Sequence, residues 1–170
     1  MLKLKDIDVN TRKVYNESDC YTHIRIVFEE KDFSSGVCYW NAYGINRSLI
    51  ELSLSNPTGA VYDIAVPFSP AIHYQDAPVS NSSITDKIGF PLFETYLDEY
   101  QKNYYHLPDD NIDFNIYAGK KNTSLVFSSN KVVLHVINDS VIFGFDADNN
   151  LCYVRMQNMI LNDEGWLLGI

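Results

Sequence analysis

The stretch from Ser48 to Val66 constrains the fold of this chain more than any other. Apolar and polar residues alternate along it, stop at a turn and then alternate again. The apolar positions are Ile50, Leu52, Leu54, Tyr62, Ile64 and Val66. Side chains two residues apart share one face of a strand, so each arm has an apolar face. Pro57 and Gly59 suit the intervening turn. The pattern predicts a β-hairpin and a fold built on antiparallel strands.

Similar alternation recurs along most of the chain. The predicted strands are an edge strand within 1–15, then 21–30, 37–43, 112–116, 124–128, 132–137 and the two arms of 141–156. The run 132–137 is apolar on both faces, which is typical of a central, covered strand. We therefore predict a mainly β (α+β) fold of antiparallel β-meanders with about nine or ten strands.

The hairpin at 141–156 resembles the one at 48–66. A shift of 91 residues aligns Leu52 with Phe143 and Gly59 with Asn150, and both turns have five residues. Duplication and two unrelated hairpins of a common type both explain this match. Two hypotheses for the domain organisation correspond to these explanations. The chain is a single domain over 1–170, or that domain consists of two similar β halves, about 1–67 and 112–160, joined by a loop and a helix.

The segment from Pro91 to Tyr105 is the predicted central helix. Its apolar residues are Phe93, Tyr96, Leu97, Tyr100 and Tyr104, which follow the 3.6-residue period of a helix. Pro91 suits the first turn, and Pro108 stops the helix soon after its end. A short C-terminal helix is predicted from Asn162. The stretch 67–89 is proline-rich and predicts a long connection, unless it contains an unrecognised element.

Charge and composition exclude several classes of function. The net charge is −9 and the pI about 4.7, which argues against binding nucleic acid or an anionic membrane surface and permits a basic protein partner. No apolar run approaches the length of a membrane span. The N-terminus lacks the apolar run of a signal peptide, and the cysteines Cys20, Cys38 and Cys152 are widely spaced. We therefore expect reduced thiols and a cytoplasmic location.

Motifs for catalysis or metal binding are absent from the sequence. The histidines His23, His73, His106 and His135 are scattered and show no metal-ligand spacing; we expect His135 to be a hydrogen-bonded residue of its strand. The run Asp146 to Asn150 begins like a calcium loop, but Leu151 and Gln157 replace the required glycine and glutamate. We predict no catalytic residue, no metal and no cofactor.

The segment 92–117 is the most uneven in charge. It carries six carboxylates against a single lysine, Lys102, and it is rich in tyrosine. Tyrosines provide rigid anchors at interfaces, and carboxylates steer a basic partner. The alternative is an amphipathic helix with ordinary core tyrosines and solvated acids. The candidate partner-binding residues are Glu94, Asp98, Glu99, Tyr100, Tyr104, Tyr105, Asp109, Asp110 and Asp113.

The two hairpins also suggest a family. Ser48-Leu-Ile-Glu-Leu-Ser-Leu-Ser-Asn-Pro-Thr-Gly-Ala-Val-Tyr-Asp-Ile and Phe143-Gly-Phe-Asp-Ala-Asp-Asn-Asn-Leu resemble hairpins of immunity proteins from bacterial polymorphic-toxin and contact-dependent inhibition systems. The resemblance implies a small, acidic, cytoplasmic, non-catalytic protein that blocks a toxin domain, often a basic nuclease. It assigns no binding residue by position.

Two other classes of function stay open. The first is a β-barrel or sandwich that holds a small apolar or sugar ligand in a cavity lined by Trp40, Tyr43 and Trp166. The second is an enzyme with a dispersed site, which would require two of the four histidines beside carboxylates in one cleft.

Overall fold

The fold consists almost entirely of strands. The computed structural model describes residues 1–19, 21–29, 36–44, 48–68, 72–78, 83–95, 107, 112–162 and 167–169. Within those ranges the chain forms sixteen β-strands and no helix, which confirms the mainly β prediction. The first eight are β1 (Leu4–Asp8), β2 (Val14–Asn16), β3 (Ile24–Phe28), β4 (Val37–Tyr43), β5 (Leu49–Ser55), β6 (Val61–Phe68), β7 (Ile72–His73) and β8 (Thr85–Ile88). The others are β9 (Phe90–Phe93), β10 (Asn115–Ala118), β11 (Asn122–Val126), β12 (Leu134–Asn138), β13 (Val141–Phe145), β14 (Leu151–Gln157), β15 (Ile160–Leu161) and β16 (Leu167–Leu168).

Two sheets contain most of these strands. The five-stranded sheet has the order β2-β3-β6-β5-β4 and is antiparallel throughout. The seven-stranded sheet has the order β7-β10-β11-β14-β13-β12-β8, and only its two outermost strands, β7 and β8, pair in parallel. Two small antiparallel ribbons, β1–β9 and β15–β16, complete the described strands.

The two sheets face each other across one aromatic core. Phe28 of the five-stranded sheet lies 6.0 Å from Phe143 of the seven-stranded sheet, measured between ring centroids. Trp40 and Phe127 make an edge-to-face contact, also at 6.0 Å. Phe90 of β9 contacts both Phe28 and Phe143. The architecture is a β-sandwich, and the seven-stranded sheet carries a second apolar cluster on its outer face.

Both predicted hairpins form. In β5–β6 the predicted apolar face is buried, and Gly59 has a φ of 80° at the end of the turn. A Cβ on Gly59 would lie 1.8 Å from the carbonyl oxygen of Phe93, so only glycine fits this approach of the turn to β9. In β13–β14 the residue with positive φ is Asn149, at 63°, one position before Asn150, the residue that aligns with Gly59.

The first half is not a simple meander, because β3 pairs with β6 and not with β4. Alternation specifies the buried face of a strand and not its neighbour, so tertiary packing decided the order. The predicted connection 67–89 also contains β7 and β8. All four residues of β8 are exposed, and the alternation that reveals a strand is therefore missing from it.

The predicted central helix is wrong at its start. Pro91, Leu92 and Phe93 belong to β9, which pairs with β1 and buries Phe90 and Phe93 completely. Burial of these two rings overrides the helical spacing, and Pro91 is tolerated in a narrow ribbon. Residues 96–106 of the proposed helix lie outside the described residues. At the C-terminus β16 stands where the second helix was expected, and 163–166 are likewise not described.

Candidate functional site

A hollow of about 670 Å3 lies on the outer face of the seven-stranded sheet. Its floor is formed by Asn115, Tyr117, Val126 and Tyr153, on the neighbouring strands β10, β11 and β14. Residues 127–132 of the connection from β11 to β12 form one wall, and Pro78 and Asp113 complete the lining. The lining therefore includes residues from two stretches discussed above, the 67–89 connection and the 92–117 segment.

Sheet register explains why the floor residues meet. One row of directly opposed residues crosses six strands from β10 to β8. Its members are Asn115, Val126, Tyr153, Gly144, His135 and Asp86. Opposed residues point to the same face of a sheet, so these side chains lie side by side on the outer surface.

The far end of this row is a chain of hydrogen bonds. The Tyr153 hydroxyl lies 2.5 Å from Nε2 of His135, and Nδ1 of His135 lies 2.9 Å from a carboxylate oxygen of Asp86. An ionised carboxylate only accepts, so when the imidazole ring is neutral Nδ1 donates to Asp86 and Nε2 accepts from Tyr153. His135 is thus a hydrogen-bonded residue of its strand, as predicted.

Two neighbours hold the Tyr153 ring against the sheet. A Cβ on Gly144 would lie 2.3 Å from a ring carbon of Tyr153, so the ring occupies the space that a side chain would need. The Arg155 guanidinium carbon lies 5.1 Å from the ring centroid, within cation–π range. Burial raises the pKa of Tyr153, and the nearby Arg155 charge opposes that rise only in part. The hydroxyl is therefore protonated at neutral pH and available as the donor to His135.

The opposite end of the floor is fixed by His73. Its ring stacks on Tyr117 with centroids 4.9 Å apart and an angle of 23° between the planes. Its Nε2 lies 3.3 Å from Oδ1 of Asn115. Parallel pairing of β7 with β10 places His73 directly beside Tyr117.

The wall of the hollow is anchored by Asp146, whose side chain is buried. The Nδ2 group of Asn130 donates to Asp146 at 2.8 Å, and the backbone N–H groups of Asp148 and Asn150 donate to the same carboxylate. Burial alone would raise the pKa of Asp146, but these hydrogen bonds hold it below its ordinary value. The run that resembles a calcium loop is thus a turn closed by its own carboxylate. Across the described ranges, no three His, Cys, Asp or Glu side chains are grouped so as to bind a metal ion.

Only two of the nine predicted partner-binding residues are described. Glu94 follows β9, where its N–H donates to the carbonyl of Lys3, and Asp113 lines the hollow. Both are exposed, and they follow or precede strands of different sheets. The remaining seven lie outside the described residues: Asp98, Glu99, Tyr100, Tyr104, Tyr105, Asp109 and Asp110.

The ligand cavity predicted around Trp40 and Tyr43 does not form as proposed. Trp40 is buried in the core against Phe127, whereas Tyr43 is exposed. The two residues are three positions apart in β4, so they point to opposite faces of the strand. Trp166 lies outside the described residues.

Sequence reasoning missed the pairing of Tyr153 with His135. A signal was present in Gly144, because a glycine inside an otherwise apolar strand often marks the close approach of another group. Counting register outward from the 139–140 turn and through the 141–156 hairpin places His135 and Tyr153 on either side of this glycine.

Nowhere in the described ranges is there a helix with the length and apolar character that crossing a membrane requires. In comparisons with known proteins, no family model matches the chain and no curated protein shows significant sequence similarity to it.

Proposed function

We propose that this chain is a non-enzymatic protein that neutralises a bacterial toxin domain by binding to it directly. The observation that carries the proposal is the concentration of six carboxylates in 92–117 against one lysine. The two that the structure describes, Glu94 and Asp113, are both exposed. A basic toxin domain would be attracted to these carboxylates, and the tyrosines of the segment would then provide anchors at contact.

The mechanism is steering followed by exclusion. A cluster of like charge raises the rate at which an oppositely charged partner arrives, and salt screens that attraction. A toxin that acts on nucleic acid needs a basic surface to hold phosphates. An acidic inhibitor on that surface blocks the substrate without any chemistry of its own. The proposal places the chain in the bacterial cytoplasm, where such a toxin would act.

The decisive experiment is genetic. The proposal predicts that a gene beside this one encodes a large secreted protein with a toxic C-terminal domain. Expression of that domain alone should stop bacterial growth, and co-expression of this chain should restore it. If the adjacent domain is toxic and the chain neither restores growth nor binds the domain, the proposal is wrong.

Charge variants locate the surface. The triple variant Asp98→Asn, Asp109→Asn, Asp110→Asn should slow association with the toxin domain by about tenfold at low salt. The matched control is Asp6→Asn, Glu17→Gln, Asp19→Asn, which removes the same charge from exposed positions outside 92–117. Equal slowing by both variants, or no slowing by the first, would rule out the 92–117 surface.

A further inference from the structure

We propose that the hollow on the seven-stranded sheet binds a neutral sugar, a mono- or disaccharide. This function is additional to toxin binding. The volume of about 670 Å3 falls in the range of small-molecule sites. The position on an outer sheet face, and not inside the core, leaves the hollow accessible to a soluble ligand.

The floor suits the apolar face of a sugar ring. Tyr117 and Val126, both half-buried, present aromatic and aliphatic surface side by side, and the buried Tyr153 ring supports them from the neighbouring strand. The face of an aromatic ring carries partial negative charge and attracts the C–H groups of a pyranose. Both tyrosines are held in place before a ligand arrives, Tyr117 by stacking on His73 and Tyr153 by its hydrogen bond to His135. Such pre-organisation lowers the entropic cost of binding.

The wall suits the hydroxyl groups of the same ligand. Ser128, Ser129 and Asn130 line it with short polar side chains, and Asn115 adds a carboxamide at the edge of the floor. Hydroxyls and amides both donate and accept hydrogen bonds, as sugar hydroxyls require. Asn130 donates through Nδ2 to Asp146, so its Oδ1 atom is fixed as the acceptor on the other side of the amide.

The charges in the lining indicate a ligand without net charge. Among the described residues of the lining, Asp113 is the carboxylate and Lys131 the ammonium group. An anion would meet Asp113 and a cation would meet Lys131, so neither sign is favoured overall. A polar but uncharged ligand with one apolar face satisfies the floor, the wall and this charge balance together.

The test is to titrate sugars into the isotope-labelled chain and to monitor binding through its amide chemical shifts. The probes are glucose, galactose, mannose and N-acetylglucosamine, each raised to about 50 mM, because a ligand of this size in an open site binds with a Kd of about 1 mM. We expect saturable shifts from at least one sugar, centred on Asn115, Tyr117, Val126 and residues 128–131.

Variants then separate stacking from charge. Tyr117→Ala should weaken sugar binding at least tenfold, whereas Tyr117→Phe should stay within about threefold because the ring is kept. Tyr21→Ala, at an exposed tyrosine outside the hollow, is the matched control and should change nothing. If Tyr117→Ala disturbs the fold, Ser129→Trp serves instead, because it fills the hollow from an exposed wall position.

Four results would overturn the proposal. The first two are the absence of a saturable shift with any sugar and shifts that map outside the hollow. The third is binding of zwitterionic amino acids in the hollow without binding of sugars. The fourth is a loss of sugar affinity beyond about threefold in Lys131→Gln, which would indicate an anionic ligand. None of these variants alters Asp98, Asp109 or Asp110, and the assay uses no toxin. Failure here therefore leaves the toxin-binding proposal standing, and the reverse also holds.

Discussion

The hydroxyl of Tyr153 lies 2.5 Å from Nε2 of His135, on the far side of Gly144. Tyr153 is only 1% exposed, so water cannot satisfy its hydroxyl and a partner must come from the protein. His135 provides that partner, and Asp86 on the outermost strand β8 orients the imidazole ring. One hydrogen-bonded chain thus connects β14, β12 and β8 and fixes the floor of the hollow.

Removing the donor and removing the acceptor of this hydrogen bond should both destabilise the fold, but by different amounts. Tyr153→Phe should cost about 1 kcal/mol, the net value of one hydrogen bond. His135→Leu should cost about 2–3 kcal/mol, because the buried tyrosine hydroxyl is then left without an acceptor. Urea unfolding at neutral pH measures both.

The matched control for this pair is Tyr15→Phe, since Tyr15 is 44% exposed and its hydroxyl can reach water. Its expected cost is near zero. Asp86→Asn should also cost little, because Asp86 is largely exposed and its contact with His135 is screened by solvent. If Tyr153→Phe costs no more than Tyr15→Phe, the hydrogen bond contributes nothing to stability.

Gly144→Ala should destabilise the chain by about 1–3 kcal/mol, the usual cost of overpacking. The new methyl group would occupy the place of the Tyr153 ring, 2.3 Å from its nearest carbon. The ring would have to turn away from Gly144 and so from His135. Thermal unfolding of Gly144→Ala in the wild-type and Tyr153→Ala backgrounds tests this cause. The cost should largely disappear once the ring is gone, and an equal cost in both backgrounds would exclude a clash with Tyr153.

Alternation alone predicted the strands that have one buried and one exposed face. The first hairpin and β3 follow from it, whereas β12 was predicted from a run that is apolar on both faces, and β13 is buried at every position. Alternation failed for β8, whose four exposed residues join the sheet only through backbone pairing with β12. The helical period failed at Pro91, where burial of Phe90 and Phe93 in a strand outweighed it. Strand order was out of reach, because the identity of a strand's neighbour is a long-range property.

The candidate site was less predictable than the fold. Asp113 was selected for its charge, and the structure places it in the lining of the hollow. Tyr153 and His135 are 18 residues apart, and they meet only because two turns set the register of three strands. A scan for spaced motifs does not detect such a pair, whereas a register count through Gly144 does.

Asp146→Asn should lower the free energy of unfolding at neutral pH. It should also make that free energy less sensitive to a fall in pH. Hydrogen bonds hold the folded-state pKa of Asp146 below the ordinary value of 3.8. The ionised carboxylate therefore stabilises the fold above that value, and the contribution is lost as the pH falls through the folded-state pKa. We expect a loss of about 1–3 kcal/mol near pH 7. Urea unfolding of both proteins near pH 7 and near pH 3 measures the difference.

The control for the acid dependence is Asp148→Asn, in the same turn but at an exposed position. Its side chain can be changed without loss of the backbone N–H that donates to Asp146. Its effect should stay within about 0.5 kcal/mol. The difference in unfolding free energy between wild type and Asp146→Asn should be smaller in acid than at neutral pH. A difference of the same size at both pH values would contradict the assigned role of the carboxylate.

The thiols of Cys38 and Cys152 should resist modification in the folded chain. Both are buried and free. Burial raises the pKa of each to about 11, and the charge of Asp146 adds to the rise at Cys152. At pH 8 each thiol is therefore almost entirely in its unreactive, protonated form as well as out of reach. A Cys20→Ser variant, which leaves only these two thiols, should react with a disulfide reagent at the rate of unfolding and promptly in concentrated guanidinium. Rapid labelling of the native variant would show that one of these thiols is accessible without unfolding, and mass spectrometry would identify which.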